Sequence, residues 1–341
     1  MNRCVKRTLY PGRRSEVMMR YAWIIGIALA LATVRSSNGV NDTAATQALP
    51  ANTPAADGMT ATANAPAMDH RPLGRGIELR TGYRLDPSSH YNDGSDVTVQ
   101  RVRLGAIVHR SIRPGLMLMG DVDAEYSSYS FNQRDDTIFG KSGFMQDAVM
   151  LRLGLAVLGP INEKWGWQAG GSLSMSGETK ADLWEAFNPA AVAGVSRTVS
   201  PNFKWSLTAA GFWFEGSPIV FPIPGFDWKI SERYRLAAQG PGLNFITTLS
   251  PATKLIASAR WEYRQYRLDD DPPVPGGKYY DQRYPVGLEL TRRFCHVLEV
   301  AMEGGCYVYQ QMMIRDKDDN KVITVVGDQS AYVGLRMSLR L

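Results

Sequence analysis

The chain has 341 residues, a formal net charge of +5 and 44% hydrophobic residues. Its mean hydropathy is negative, which excludes a bundle of membrane-spanning helices but suits a membrane barrel, where only alternate strand residues face lipid. The basic balance does not indicate a nucleic-acid partner, because the arginines are spread along the chain and form no single basic patch.

Residues 1–39 have the pattern of a secretory signal peptide. Several arginines precede the apolar run 21–34, and Ser37-Asn38-Gly39 then places small residues at the −3 and −1 positions of a cleavage site before Val40. The run is shorter than the roughly 20 residues that a spanning helix needs, although an uncleaved anchor stays an alternative. The candidate start sites are Met1, Met18 and Met19.

Residues 40–72 are rich in Ala, Thr, Pro and Asn and contain few bulky apolar side chains. Such a segment buries too little apolar surface to offset its chain entropy, so we expect a disordered periplasmic tether. The remaining residues, 73–341, form one folded domain.

This domain repeats a pattern of roughly ten residues that are apolar at every second position, separated by turns. The clearest case is the segment 255–264, in which Leu255, Trp261 and Tyr263 share one face with two alanines. The pattern predicts an all-β, transmembrane, antiparallel up-and-down barrel of about twelve strands, with fourteen as the alternative. A soluble β-sandwich also alternates, but its strands are shorter.

Aromatic residues lie near the ends of the predicted outward faces, as interfacial girdles require. Those beside short turns are Trp165, Trp167 and Trp205, and those toward long loops are Tyr83, Tyr126, Trp213 and Tyr263. Short turns alternate with long polar loops at 87–96, 128–143, 177–188, 216–241, 269–280 and 314–329. This habit and an even strand number predict the outer membrane of a Gram-negative-type bacterium, with both termini in the periplasm.

Segment 216–241 is apolar and rich in proline, which makes it a poor surface loop. We expect it to fold into the lumen as a plug, with a wall hairpin as the alternative that gives fourteen strands. The plug candidates are Pro222, Pro224, Phe226 and Trp228. Pro285 lies inside another predicted strand and cannot donate to a ladder, so a bulge is expected there.

Residues 73–341 resemble an uncharacterised family of bacterial outer-membrane barrels that is described only as a domain of unknown function. The resemblance is carried by Pro222–Trp228, by Tyr234-Arg235-Leu236 and by the last strand. It implies a barrel and brings no activity. The last strand also resembles the outer-membrane assembly signal, except that it ends in Leu341 where an aromatic residue is usual. The partners we expect are outer-membrane lipids and the assembly machinery, and the oligomeric state stays open.

Charged residues occupy the alternate positions that should face the lumen. They are Arg80, Arg84, Arg101, Arg103, Asp121, Asp123, Glu125, Arg152, Arg260, Glu262, Arg264, Glu289, Glu299, Glu303, Arg336 and Arg340, with Glu78 and Arg283. A hairpin about Ile112-Arg113 would set Arg103 opposite Asp123 and Arg101 opposite Glu125. The charges either fill the lumen as salt bridges or form the opposed walls of a narrow polar pore.

Three functions are therefore considered. The first is a narrow porin-like channel for small polar solutes, the second a non-transporting structural or surface-interaction barrel, and the third, much weaker, a lipid-modifying enzyme. Only His90 among the histidines lies at the outer rim, and no serine–histidine triad is visible, so no catalytic residue is assigned. The acidic runs 269–271 and 316–319 lack calcium-loop spacing, and we expect neither metal nor cofactor. Cys295 and Cys306 should lie too far apart for a disulfide.

Overall fold

The computed structural model describes residues 76–132, 139, 144–214, 217–238 and 240–341. The predicted signal peptide 1–39 and the predicted tether 40–72 therefore lie outside the described residues. Within the described ranges, no helix is long and apolar enough to span a bilayer. The one short 3₁₀ helix described is Leu183–Ala186.

Sixteen strand segments make up the domain, and their long alternating sequences explain why they are strands. The first eight are β1 (Gly76–His90), β2 (Asp96–Arg113), β3 (Leu116–Phe131), β4 (Asp147–Pro160), β5 (Trp165–Glu178), β6 (Phe187–Ser200), β7 (Phe203–Phe214) and β8 (Ser217–Lys229). The others are β9 (Tyr234–Ala238), β10 (Gly242–Ser250), β11 (Thr253–Arg260), β12 (Glu262–Arg267), β13 (Lys278–Phe294), β14 (Leu298–Arg315), β15 (Lys321–Gly327) and β16 (Ser330–Arg340).

The sheet closes because β1 pairs antiparallel with β16, from Glu78↔Arg340 to Leu85↔Val333. Two pairs of segments each form one strand of the wall: β13 pairs with both β11 and β12, and β14 pairs with both β15 and β16. The result is a closed antiparallel barrel of fourteen strands. The end of the barrel at which β1 begins and β16 ends is called here the terminal end, and the opposite end is called the loop end.

The fourteen-strand alternative is thus right and the count of twelve is wrong, because segment 216–241 supplies two wall strands. β8 pairs with β7 along its whole length, and β9 pairs with both β8 and β10. The expected plug is wrong for the same reason: Pro222, Pro224, Phe226 and Trp228 are all residues of β8. The expected bulge is confirmed, since the β13–β14 register shifts between Tyr284 and Pro285.

The predicted register of the first long hairpin is wrong by two residues. Arg103 lies opposite Glu125, and Arg101 lies opposite Ser127. The reason is the position of the turn, which lies at the Pro114-Gly115 pair beyond Arg113, and an irregularity between Ser111 and Arg113 then offsets the register by one residue. Neighbouring side chains on one face still reach one another diagonally, so Arg103 forms an ion pair with Asp123 at 3.1 Å.

Large apolar side chains are exposed on the outer face of nearly every strand. They include Leu79, Leu104, Val122, Leu153, Leu173, Leu207, Phe245, Leu288, Met302 and Leu335. A water-soluble protein rarely exposes so large and continuous an apolar surface. Such a belt, with glycine, serine and charged residues on the opposite face, is what a barrel wall in lipid requires.

At the loop end, β12 leaves the wall and crosses the barrel to β5. Arg267 pairs with Gly177 in parallel, and the Ser176 hydroxyl donates to the Gln265 carbonyl at 2.6 Å. On the other side, β15 reaches β1 through the Tyr91↔Gly327 bridge. The segments β1–β5 and β12–β15 therefore close into a smaller ring, and β6–β11 form a wall outside it.

This crossing also corrects the expected place of Tyr263. Alternation puts it on the lipid face, but its side chain is buried against Tyr280 and Met313. The alternation of polar and apolar residues continues through Trp261 into β12, so nothing local in the sequence distinguishes a strand that stays in the wall from one that turns inward.

The outer belt gives a direct test of the barrel. We expect Leu153→Arg to lower the free energy of unfolding by about 2–4 kcal/mol, because Leu153 lies mid-strand on the outer face, where a guanidinium would meet hydrocarbon. Ile161→Arg is the control, since Ile161 is equally exposed but lies in the β4–β5 turn. Denaturant unfolding in lipid vesicles measures both, and equal losses would contradict the assigned belt.

Candidate functional site: the divided lumen

The charged residues predicted to face the lumen do lie on the inner face, where most of them form ion pairs. The pairs nearer the terminal end are Arg80–Glu78, Arg340–Glu78, Arg103–Asp123, Arg152–Asp121, Arg152–Asp123, Arg336–Glu289 and Arg293–Glu299. These side chains retain some exposure to the lumen. They line its wall on the β1–β4 and β13–β16 side.

Toward the loop end, two carboxylates and two guanidiniums form a buried square. Arg101 donates to Asp86 and, at 2.8 Å, to Asp281. Arg283 donates to Asp86 at 2.8 Å and to Asp281 at 2.6 Å. All four residues are at most 3% exposed. Two positive and two negative charges cancel here, which is the condition for holding ions out of water.

A second group of ion pairs joins β12 to the opposite wall. Arg264 of β12 donates to Glu125 of β3 at 2.8 Å. Glu262 accepts from Arg84 at 2.7 Å and from Arg264 at 3.2 Å. Arg260 donates to Glu303 at 3.0 Å and lies 3.7 Å from Glu262. These pairs bridge the lumen from one wall to the other.

Tyrosines complete this network. Tyr307 donates its hydroxyl to Asp86 at 2.6 Å, and Tyr129 donates to Asp281 at 3.1 Å. The Arg84 guanidinium lies 4.1 Å from the ring centre of Tyr332, a cation–π distance. We call the buried charged residues the charged partition: Asp86, Arg101, Glu125, Glu262, Arg264, Asp281 and Arg283.

An apolar cluster covers the charged partition at the loop end. Its members include Tyr91, Val97, Val99, Tyr129, Phe139, Phe144, Met145, Tyr266, Tyr279, Met312, Ile314 and Val325. They come from β2, β3, β12, β13, β14, β15 and the β1–β2 and β3–β4 connections, which belong to the smaller ring. The inside of that ring is therefore filled by side chains.

Two members of the partition, Asp86 and Asp281, were absent from the sequence prediction. Both obey the alternation that identified the others: Asp86 follows Glu78 and Arg84 on the inner face of β1, and Asp281 lies two residues before Arg283. Extending each alternating segment by two residues would have found them. The tyrosines carried no such signal, because the same residue type also serves in the outer girdle.

The other side of the lumen, bounded by β5–β9, carries few charges. A cavity there is partly open to solvent, and its empty space, open solvent included, is about 630 Å³. The inward side chains that line it are Gln168, Ser196, Lys204, Ser206, Thr208, Ile223 and Asp227. Gln168 donates to the Thr208 hydroxyl at 3.0 Å, and Asp227 accepts from Arg235 at 2.6 Å.

Above this cavity, toward the loop end, the inner wall becomes apolar. We call this area the apolar patch: Val192, Ala210, Phe212, Ile219, Ile223 and Trp261. The first five lie on β6, β7 and β8, and Trp261 is the residue between β11 and β12. The sequence prediction missed the patch, because it assigned 216–241 to a plug.

The weaker candidates for chemistry lie apart from the lumen. The His90 imidazole lies at the loop-end rim and hydrogen-bonds to Asp96 at 2.9 Å. Asp316 accepts from the backbone N–H groups of Asp318 and Asn320, which shapes the β14–β15 loop. No group of metal-ligating side chains is found among the residues described here. Cys295 and Cys306 are free thiols.

A closed fourteen-strand barrel with an apolar outer belt and a charged interior defines an outer-membrane β-barrel protein. Residues 113–341 match the family described as a domain of unknown function, DUF6268, and the chain belongs to that family. No curated protein matches the chain.

Several solved structures are similar in shape. The COG4313 outer membrane channel from Pseudomonas putida F1 has 12% identity and a TM-score of 0.46, covering 81% of this chain and 98% of its own. The P. putida toluene transporter TodX has 8% identity and a TM-score of 0.40, with 79% and 90% covered. The KdgM porin has 11% identity and a TM-score of 0.31, with 75% and 97% covered.

The charged partition makes a testable contribution to stability. We expect Glu262→Gln to lower the free energy of unfolding by about 3 kcal/mol, because it leaves Arg84 and Arg264 short of a counter-charge in a buried site. Glu232→Gln is the control, since Glu232 pairs with Lys229 in an exposed turn and its loss should not be measurable. Denaturant titration in vesicles compares them; an unaffected Glu262 variant would contradict a buried, paired role.

Proposed function

We propose that this protein is an outer-membrane channel whose path for small polar solutes runs through the less charged side of the lumen, between β5 and β9. One observation carries the proposal: the charges are paired and buried on one side, while the other side holds a solvent-open cavity. A passage needs polar groups that water and solutes can reach, and the cavity has them in Gln168, Ser196, Ser206 and Thr208.

The charged partition then holds the barrel in shape and takes no part in the path. The ion pairs of Asp86, Arg101, Asp281 and Arg283 support this, because a solute could pass among them only by breaking pairs that are out of contact with water. This proposal selects the salt-bridged filling over the narrow charged pore. The ion pairs nearer the terminal end retain exposure to the lumen, and their field can tune ion preference.

The proposed orientation places the terminal end in the periplasm. The support is the distribution of connections: those at the terminal end are short, such as 114–115, 201–202 and 251–252, whereas the long ones, 132–146, 179–186 and 268–277, lie at the loop end. In this orientation the tether 40–72 extends into the periplasm, and β16, ending beside Leu341, is the strand offered to the assembly machinery.

Single-channel recording in planar bilayers tests the channel. We expect discrete openings from the full-length protein, and we expect Ser206→Trp to lower the conductance by about half or more, because the indole enters the cavity. Thr247→Trp is the matched control: it replaces another hydroxyl residue on a wall strand, paired with the exposed Tyr234 on the outer face.

Folded protein that never opens would contradict the channel and favour the second candidate, a structural barrel. The specific observation behind that candidate is the filled interior of the smaller ring. Openings that Ser206→Trp leaves unchanged would place the path elsewhere. Folding is verified in each case by heat-dependent migration on gels.

A further inference from the structure

One edge of β8 has no neighbour over most of its length. β7 pairs with β8 from Phe214↔Ser217 down to Phe203↔Trp228. On the other side, β9 pairs only with residues Phe226 to Lys229. Within the described parts of the chain, no strand hydrogen-bonds to residues 217–225 on that side.

The prolines of β8 all lie on this free edge. The Lys229 N–H donates toward β7, to the Asn202 carbonyl, and the next N–H, of Ile230, donates toward β9, to Tyr234. The register with β7 is unbroken, so even-numbered N–H groups point away from β7 along the whole strand. Pro218, Pro222 and Pro224 are even-numbered, and Pro has no N–H.

The free edge lies within the apolar belt. Pro224 pairs with Leu207 and Pro222 pairs with Ala209, and both partners are exposed on the outer face. An unpaired N–H in hydrocarbon is costly, which is why open sheet edges are not expected there. Between residues 218 and 224, the N–H groups that would point to the free edge belong to residues 218, 220, 222 and 224. Three of these residues are prolines, so only Val220 carries an N–H on this edge.

The segments that could pair with the free edge of β8 either end before they reach it or leave the wall. β9 ends at Ala238, β10 begins at Gly242, and the wall continues no further on β11 than Arg260. β12, which would extend the wall, crosses inside to β5. We call the resulting opening the lateral gap: it lies between Ser217–Pro224 and Trp261.

The apolar patch lies directly behind the lateral gap. Ile219 and Ile223 belong to the free strand itself, and Phe212 is the partner of Ile219 on β7. Trp261 packs against this patch from the other side of the gap. An opening at membrane depth is therefore backed by apolar side chains, and the polar cavity begins below it at Ile223.

We propose that the lateral gap is a passage between the membrane's hydrocarbon and the lumen for small, uncharged apolar molecules. The inference rests on the proposed channel function for the continuation of the path through the cavity. A strand of a second copy is not the occupant, because three of the four N–H groups that it would need are absent. Water is not the favoured occupant either, because the lining of the gap is apolar.

The test uses Trp261 as a reporter, with the full-length protein in phosphatidylcholine vesicles. The fluorescence of Trp261 is the difference between the wild-type protein and Trp261→Phe. Vesicles made with brominated acyl chains carry a quencher that can approach only from the hydrocarbon, whereas acrylamide approaches from water. We expect brominated lipid to quench the Trp261 difference signal by about half or more, because quenching needs contact and the gap permits it.

Ile223→Lys is the companion variant, since it places a charge in the apolar patch beside water-accessible cavity residues and should fold. It should weaken quenching of Trp261 by brominated lipid by about twofold or more. Met119→Lys is the matched control; Met119 packs under Met117 and Leu158, away from the gap, and its quenching should equal that of the wild type.

Quenching by acrylamide alone would overturn the proposal and show a lumen open only to water. A Trp261 signal that neither quencher reaches would overturn it by showing a sealed wall. Equal quenching in Ile223→Lys would remove the apolar patch from the route. A stable dimer in detergent that Val220→Pro dissociates would assign the edge to a second copy. None of these readouts needs ion conduction, so a silent channel and a closed gap give different results.

Discussion

The ion pair between Arg264 on β12 and Glu125 on β3 spans the lumen, and the other features of the interior depend on it. It holds β12 across the barrel, next to Glu262 and the square of Asp86, Arg101, Asp281 and Arg283. A return of β12 to the wall would leave several buried charges without partners, which is far more costly than an open strand edge. The filled ring, the separate cavity and the gap beside β8 are thus consequences of one displaced strand.

The two sides of the lumen use their side chains differently. On the filled side, most inward arginines and carboxylates form ion pairs with a neighbour, and Tyr307 and Tyr129 donate to Asp86 and Asp281. On the β5–β9 side, many inward positions are small and uncharged, such as Ser196, Ser206 and Gly194, which leaves room for solvent. A single barrel therefore combines a half that is filled by side chains and a half that holds a cavity.

Alternation predicted the barrel and nearly every lumen charge, because inward and outward positions differ chemically and the period of two needs no partner to be read. The alternation pattern gave wrong predictions where the position of a residue depends on its contacts with distant segments. Tyr263 occupies an alternating position that is typical of a lipid-facing residue, but its strand, β12, crosses the barrel and pairs with β5. The proline content of 216–241 argued against a surface loop and favoured a plug, whereas the shared parity of Pro218, Pro222 and Pro224 is the mark of a strand edge. The predicted partner of Arg101 was wrong because the turn lies at Pro114-Gly115, beyond the predicted Ile112-Arg113.

The partition also has a consequence for how the chain reaches its native state. Arg283 and Asp86 are separated by 197 residues, and Glu262 and Arg84 by 178. The wall from β5 to β10, in contrast, is a succession of adjacent hairpins. Because distant contacts require the closure of long loops, they form after local ones. The strands β5 to β10, which bear the cavity, should therefore form first. The charged partition should form only after the last strands have paired. A chain truncated before those strands would then keep its hairpins but lack the partition.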